Sequence, residues 1–343
     1  MAPIKSSLSR TVGKLLRVQK DTDLSLRGDK QRSKKKDFEA TGGTEYTPGN
    51  GYKYHKFTSS GSLVVNAPET VNIDVLVVAG GGGGGSYYGG GGGAGGVAHA
   101  ESMPIGSGTY PVNIGSGGNP VTGPPHQYLG APGSNSYFGT PGQPIGGQPD
   151  YILAKGGGGG GKGTSDGGLD GGSGGGSGGG DPGPVSDGAA TQPGTNPSPF
   201  VTDYGNQGGF STPTGGYAPA GGGGAGAAGG NIDGDIPGAG KGGTGRAFPT
   251  FAYPLIGMSP LNPRSPTNSH YAGGGGGGMY STSVSGRSGA GGHGGGGAGG
   301  GSPSPFPENG VDTLGAGGGG RHPGAIDKGG DGGDGIVIVR YVI

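Results

Sequence analysis

The chain has 343 residues, 100 of them Gly and 29 Pro, with a hydrophobic fraction of 28% and no Cys. Side chains to fill a conventional core of this length are scarce, and disulfides, thiolate metal sites and a cysteine nucleophile are excluded. Formal charge is zero, but residues 1–40 hold eleven Lys/Arg against five Asp/Glu and the remainder eleven against seventeen. A basic head, residues 1–50, therefore precedes a mildly acidic body, residues 51–343.

The default reading of such a composition is low complexity and disorder. Collagen fails, because it needs Gly at every third position and here the glycines are contiguous, as in "VVAGGGGGG" from Val77. No apolar stretch approaches the ~20 residues of a membrane helix. The first residues lack the apolar region of a signal peptide, so ordinary N-terminal secretion is not expected.

In the head, Leu8, Val12, Leu15 and Leu16 fall at helical spacing with Arg10, Lys14 and Arg17 around them. Ser7 or Ser9 could cap this short helix, and Gly13 weakens it. An anchoring peptide that docks through this stripe is the preferred reading. The alternatives are a nucleic-acid-contacting arm, from the Lys34–Lys36 run, and a floppy tail. Asp21, Asp23 and Asp29 argue against a mitochondrial targeting peptide, and Arg27–Asp29 is a chance tripeptide.

Strand patterns begin at residue 52. Tyr52, Tyr54 and Phe57 suggest one strand, Ser59–Gly61 a turn, and Leu63–Val65 the next strand. Val71, Ile73, Val75 and Val77 alternate with Asn72, Asp74, Leu76 and Val78. The second face turns apolar at its end, as when a strand passes from a wet surface into a covered one. Thr109–Ile114 reads as a strand favouring an edge because of Pro111. "YILAKG", from Tyr151, starts a short one, and Ile336–Ile343 alternates most strongly. The last strand is expected to pair with the early ones and so clasp the glycines between them.

Contiguous glycines can form polyproline-II rods with three residues per turn. Without a Cβ, neighbouring rods approach closely enough for N–H···O=C bonds, helped by Cα–H···O contacts. Glycine is costly to order, so only many cooperating rods would persist. Candidates are Gly80–Gly85, Gly89–Gly93, Gly156–Gly161, Gly171–Gly180, Gly221–Gly224, Gly273–Gly278, Gly291–Gly301 and Gly317–Gly320. Interrupting Ala or Ser residues are expected on outer faces. The fold class is thus mostly β and irregular, a short β-sheet frame enclosing packed polyglycine-II helices, with an extended or short-helical N-terminal arm.

Between the runs lie Pro-, Asn- and aromatic-rich segments, the vocabulary of fixed turns and a place where binding usually resides. Contact candidates are Tyr128, Tyr137 and Phe138 on the first segment and Phe200, Tyr204, Phe210 and Tyr217 on the second. The third carries Phe251, Tyr253, Arg264, His270 and Tyr271. The competing reading is that these rings cap rod ends or line a trimer axis.

Catalytic chemistry is not expected. The six histidines are scattered, without metal-ligand spacing. Asp233/Asp235 and Asp331/Asp334 would hold calcium weakly at best, so no metal and no cofactor is expected. "GGKGT", Gly160–Thr164, has a Lys but not the spacing of a phosphate loop. The glycine part lacks an RNA-binding aromatic motif, and no specific nucleic acid is expected.

The ordered set of His55–Val65, Ile73–Gly85, "YPVNIGSGG", "GSNSYFG" at Gly133–Gly139, "AKGGGGGG" and the closing "GGDGIVIVRYVI" resembles the glycine-rich fibre and adhesin domains of tailed-phage virion proteins. The head, with "SSLSRTVGKLL" and "DLSLRG", is similar to N-terminal segments of structural proteins in marine phages. The resemblance covers residues 52–343. It implies a non-enzymatic virion-surface component, homotrimeric, attached to other virion proteins through residues 1–40. Its loops would face a bacterial outer-membrane protein or surface glycan. A capsid decoration without a receptor, or a cellular glycine-rich matrix protein, are the alternatives.

Overall fold

The computed structural model describes residues 38–120, 128–140, 151–163, 166–179, 186–212, 218–232, 238–260, 266–279, 288–301, 306–322 and 328–343. The strands among them are β1 (Glu39–Thr41), β2 (Thr44–Tyr46), β3 (Tyr52–Phe57), β4 (Gly61–Asn66), β5 (Val71–Val78), β6 (Val97–Ile105), β7 (Gly108–Asn113), β8 (Ser136–Phe138), β9 (Ile152–Ala154), β10 (Val201–Tyr204), β11 (Arg246–Ala247), β12 (His270–Tyr271) and β13 (Ile336–Val342). Two sheets form, in the orders β10-β6-β5-β13-β3-β2 and β1-β4-β7-β8-β9, with β11 and β12 as a separate ribbon.

The two large sheets face each other over one apolar core. Alternation delivers Val75, Val77, Val337, Val339 and Phe57 from the first sheet, and Leu63, Val65, Val112, Phe138 and Ile152 from the second. β13 sits in the middle of its sheet, pairing β5 from Ile336↔Val78 to Arg340↔Asp74 and β3 from Val337↔Phe57 to Val342↔Tyr52. The expected clasp is there. β1 and β2 lie inside the segment read as the basic head, so residues 38–50 belong to the β frame.

β7 is not an edge strand. It lies between β4 and β8; the Pro111 carbonyl accepts from the Gly139 N–H at 2.8 Å, so its nitrogen faces the same side, at the end of the β7–β8 pairing where a missing donor is tolerated. A bulge interrupts β5 against β6 between Ile73 and Val75. There the Asp74 carboxylate accepts from the Ser102 N–H at 2.8 Å and pairs with Arg340 at 2.7 Å.

The outer face of the six-stranded sheet is covered too. Tyr54, Leu76, Val78, Val97, Ile336 and Ile338 pack against Phe248, Phe251, Tyr253, Ile256 and Tyr271. The covering segment includes two 3-10 turns, Pro249–Phe251 and Tyr253–Ile256. This is the covered end that the apolar shift along β5 predicts.

Beyond Val78 the chain leaves the sheet as glycine segments bonded to one another rather than within themselves. Residues 89–96 occupy the centre. The N–H groups of Gly89, Gly92 and Gly95 donate to Arg321, Gly318 and Gly315; those of Gly90, Gly93 and Gly96 to Gly161, Gly158 and Lys155; those of Gly91 and Ala94 to Ala220 and Gly223. Its carbonyls accept from three further segments: Gly90 and Gly93 from Gly85 and Gly82, Gly91 and Ala94 from Gly176 and Ser173, Gly89 and Gly92 from Gly278 and Gly275. These bonds measure 2.7–3.0 Å. Each neighbour is met at every third residue, a period of neither an α-helix nor a β-strand, and six neighbours surround the central segment.

A Cβ on Gly91 would lie 2.0 Å from the Gly275 carbonyl oxygen, and one on Gly92 2.1 Å from that of Gly82. The glycines are therefore where a side-chain core would otherwise be. Ala and Ser do not keep to outer faces, as the sequence suggested. Ala94, Ala225, Ala272 and Ala316 are buried at the sheet-facing end, where their methyls join the apolar cluster around Leu76 and Val78. Ser173 and Ser177 are buried within the array.

Candidate functional site

The molecule has two poles. Val78, Val97 and Ile336 lie where the sheet meets the array, and Tyr52 and Val342 at the sandwich's far end. Glu39 pairs with Asn66 at that same far end, and the Phe38 ring packs edge-on against Tyr341 with centroids 4.4 Å apart. Residues 1–37 thus join the fold at the pole remote from the glycine array. The docking candidates Leu8, Arg10, Val12, Lys14, Leu15, Leu16 and Arg17 lie outside the described residues.

Connections between glycine segments also sort by pole. At the sandwich side some are tight turns, as at Ala225–Ala227 and Val311–Gly315, while others run through strands, as from Gly245 to Ala272 by way of β11 and β12. At the opposite end, the apex, the bonding register gathers Tyr128, Gly163, Asp166, Gly179, Ser186, Thr212, Ile232, Met279 and Arg321. One apical connection, Ser86–Tyr88, is described throughout, and it links residues 80–85 to the central segment.

That connection is unusual. Tyr87 and Tyr88 have φ of 53° and 56°, a left-handed conformation in which a Cβ is strained. Neighbours hold it: the Tyr87 carbonyl accepts from Gly163 N–H at 2.7 Å and the Tyr88 carbonyl from Gly179 N–H at 2.8 Å. Ser86 and Tyr128 exchange backbone and hydroxyl bonds at 2.6–3.2 Å. The two rings stand edge to face with centroids 5.4 Å apart, and both are half-buried. Nearby, the Arg321 guanidinium lies 4.8 Å from the ring centre of Phe306, which is 66% exposed. Lys162 pairs with Asp166 at 3.3 Å.

The sequence-chosen contact residues do not share one surface. Tyr128 and Phe210 are apical. Tyr137 lies on the outer face of the five-stranded sheet against Tyr151, while Phe138 is buried and Phe200 packs on the sandwich core. Tyr204 is half-buried beside Phe248 and under Arg246. Phe251, Tyr253 and Tyr271 have no exposed surface, so the expectation that they reach solvent fails: they fill the outer layer of the sheet. Burial pushes the Tyr271 phenol well above its ordinary range, and its hydroxyl donates to the Phe251 carbonyl at 2.6 Å. His270 is half-buried near His293 and depressed in pKa, first by burial and then by that neighbour. Tyr217 and Arg264 lie outside the described residues. Tyr87, Tyr88 and Phe306 were not singled out, because nothing in "SYYGG" or "SPFP" marks a pole or a positive φ.

All six scaffold glycines chosen from the sequence, Gly80, Gly85, Gly156, Gly161, Gly273 and Gly278, are buried and bonded across the array. Asp331 pairs with Lys328, and Asp334 accepts from the Gly117 N–H; Asp233 and Asp235 are outside the described residues. Among the described residues no group of three or more His, Asp or Glu could hold a metal, and no helix is long and apolar enough to cross a membrane. A polar cleft of roughly 190 Å³ lies beside the β3–β4 turn, lined by Thr44, Lys56 and Ser59 among others.

A family model for a glycine-rich domain matches residues 58–342. The chain belongs to this glycine-rich domain family. The match runs from the β3–β4 turn to the end of β13 and takes in the whole array. No curated protein matches the chain.

Proposed function

We propose that this chain is a non-enzymatic phage virion structural protein, a short fibre or tip that meets the host surface with its apex. In this reading the glycine segments form a polyglycine-II lattice, residues 1–40 fasten the protein to other virion proteins, and three copies assemble. The observation that carries it is the separation of poles: the basic head joins at one end and the apical connections gather at the other. The three-residue bonding period and the six neighbours of residues 89–96 support the lattice. A rigid backbone-bonded array is a suitable platform for variable connections, because such loops can change without altering the core beneath them. The sequence resemblance supports the virion setting.

The test uses purified full-length chain, a variant lacking residues 1–37, and a variant with its apical connections exchanged. Binding to virions depleted of the protein and to host cells is measured for each. The head deletion is expected to lose virion binding and keep cell binding, and the apical exchange to do the reverse. Virion binding without any cell binding would leave a capsid decoration in its place. Light scattering of the intact chain reads the trimer, which a monomeric mass would refute.

A further inference from the structure

The Tyr87–Tyr88 turn poses a chemical question that host attachment alone leaves open. Both positions have positive φ, where glycine is unstrained and tyrosine is not. This chain places glycine at most neighbouring positions, yet has tyrosine at these two. Strain retained at a described surface turn points to a use for the side chains. The carbonyls of Tyr87 and Tyr88 accept from Gly163 and Gly179, and the two rings stand edge to face on that anchored turn. We propose that Tyr87 and Tyr88 form a saccharide-binding platform at the centre of the apex.

The geometry fits a sugar ring. The planes of the two rings meet at 81°, giving one wall and one floor rather than a flat patch. A pyranose offers an apolar C–H face for a ring and a rim of hydroxyls for polar groups. The Tyr87 phenol and the nearby Lys162–Asp166 pair, whose side chains are 35% and 43% exposed, supply donors and acceptors. A protein hot spot needs surrounding side chains to exclude water. Here Tyr87 and Tyr88 are bonded through their carbonyls to Gly163 and Gly179, which supply none, and Tyr128 bonds to the turn at Ser86. Tyrosine also brings contact area at low entropy cost, and the locked backbone removes more of that cost.

This inference rests on the host-attachment reading, and the experiment separates the two. Outer-membrane vesicles from a panel of Gram-negative bacteria are used untreated, periodate-oxidised to destroy glycans, or proteinase-treated. They are titrated with the full-length protein and with Tyr87→Gly/Tyr88→Gly. Periodate is expected to abolish binding and proteinase to leave it. The double variant is expected to lose about tenfold or more in affinity while its melting temperature holds or rises, since glycine relieves the strain. Tyr88→Asn, a residue that tolerates this conformation, is a second variant expected to fold normally and bind weakly. Binding that survives periodate but not proteinase overturns the saccharide proposal and keeps host attachment. Wild-type affinity in the double variant, or a lower melting temperature for both variants, overturns the platform. No binding to any vesicle by the wild type overturns both.

Discussion

The sandwich and the glycine array solve the same problem with opposite materials. In the sandwich, strands expose alternate faces and buried side chains such as Leu63, Val75 and Phe138 fill the gap between two sheets. In the array there is no gap to fill, because adjacent backbones bond directly and a single Cβ meets a neighbouring carbonyl at about 2 Å. Side-chain cores accept a range of shapes if volume is conserved; a backbone core accepts little beyond glycine, with Ser173 and Ser177 as buried small exceptions. Ala94, Ala225, Ala272 and Ala316 mark the boundary, where one packing mode passes into the other.

The largest expected effect breaks that contrast directly. Gly91→Val would drive side-chain carbons into the Gly275 carbonyl oxygen, 2.0 Å from the first of them. Neither partner has a flexible side chain to move. We expect destabilisation beyond about 4 kcal/mol, in the exceptional range for one substitution, and even Gly91→Ala should be severe. Thermal melting together with amide exchange along residues 89–96 reads it. A wild-type melt for Gly91→Ala would mean that the array is looser than its bonding implies.

On the sandwich side the comparable change is a deletion. Phe138 is fully buried and stacked on Tyr110 with centroids 5.7 Å apart. Phe138→Ala should cost about 3–5 kcal/mol through lost transfer energy and a cavity, measured by denaturant unfolding. A loss under about 1 kcal/mol would show that the five-stranded sheet collapses around the void, and the two cores would then differ less than described.

The same contrast governs what the sequence made legible. Period-two alternation marks β3, β5 and β13, short apolar runs mark β4, β7 and β9, and the pairing of β13 with the early strands follows from where the best β-formers lie. β6 was missed because "VAHAESMPI" is built from small and polar residues and carries the bulge at Ser102, which blurs alternation. β1 and β2 were hidden by brevity in a charged segment, and β8 and β10 by their Pro- and Asn-rich surroundings. The glycine runs mark segments that bond to one another but not their directions, so the pole of each connection is not legible in them. For the same reason Phe251, Tyr253 and Tyr271 looked like display residues. Their partners, Leu76, Ile336 and Ile338, are apolar positions on distant strands, and local composition does not report that pairing.

Acid should weaken the sandwich and its outer layer before the array, which holds few titratable groups. His55 is buried, its Nδ1–H donating to the Gly42 carbonyl at 2.8 Å and its Nε2 facing the Tyr341 hydroxyl at 3.1 Å. His99 lies against Phe248 and Phe251, with Glu101, Asp74 and Arg340 around it. Burial is the main cause that lowers both pKa values, outweighing Gly42 and Glu45 at His55 and Glu101 and Asp74 at His99. Groups depressed in the folded state stabilise it above their unfolded pKa, about 6.5, and that stability is lost as pH falls through the folded values. Melting temperature should therefore drop from pH 7 to pH 5, and His99→Phe should reduce the slope. A flat profile over that range would exclude both histidines as the cause.

The smallest expected effect is the most pointed, because it asks whether glycine itself or its surroundings makes the array demanding. Gly106 lies in the connection from β6 to β7, has no heavy atom within 4 Å of a built Cβ, and does not have a positive φ. Gly106→Ala should leave the melt unchanged or stabilise by up to about 1 kcal/mol, through reduced freedom of the unfolded chain. Set beside Gly91→Ala, the same chemical change would then be neutral in one region and severe in the other. The difference would belong to the neighbouring carbonyl rather than to any intrinsic preference of the residue. A clear loss of stability at Gly106 would shift the explanation towards local backbone conformation, and the steric account of the array would need evidence beyond substitution.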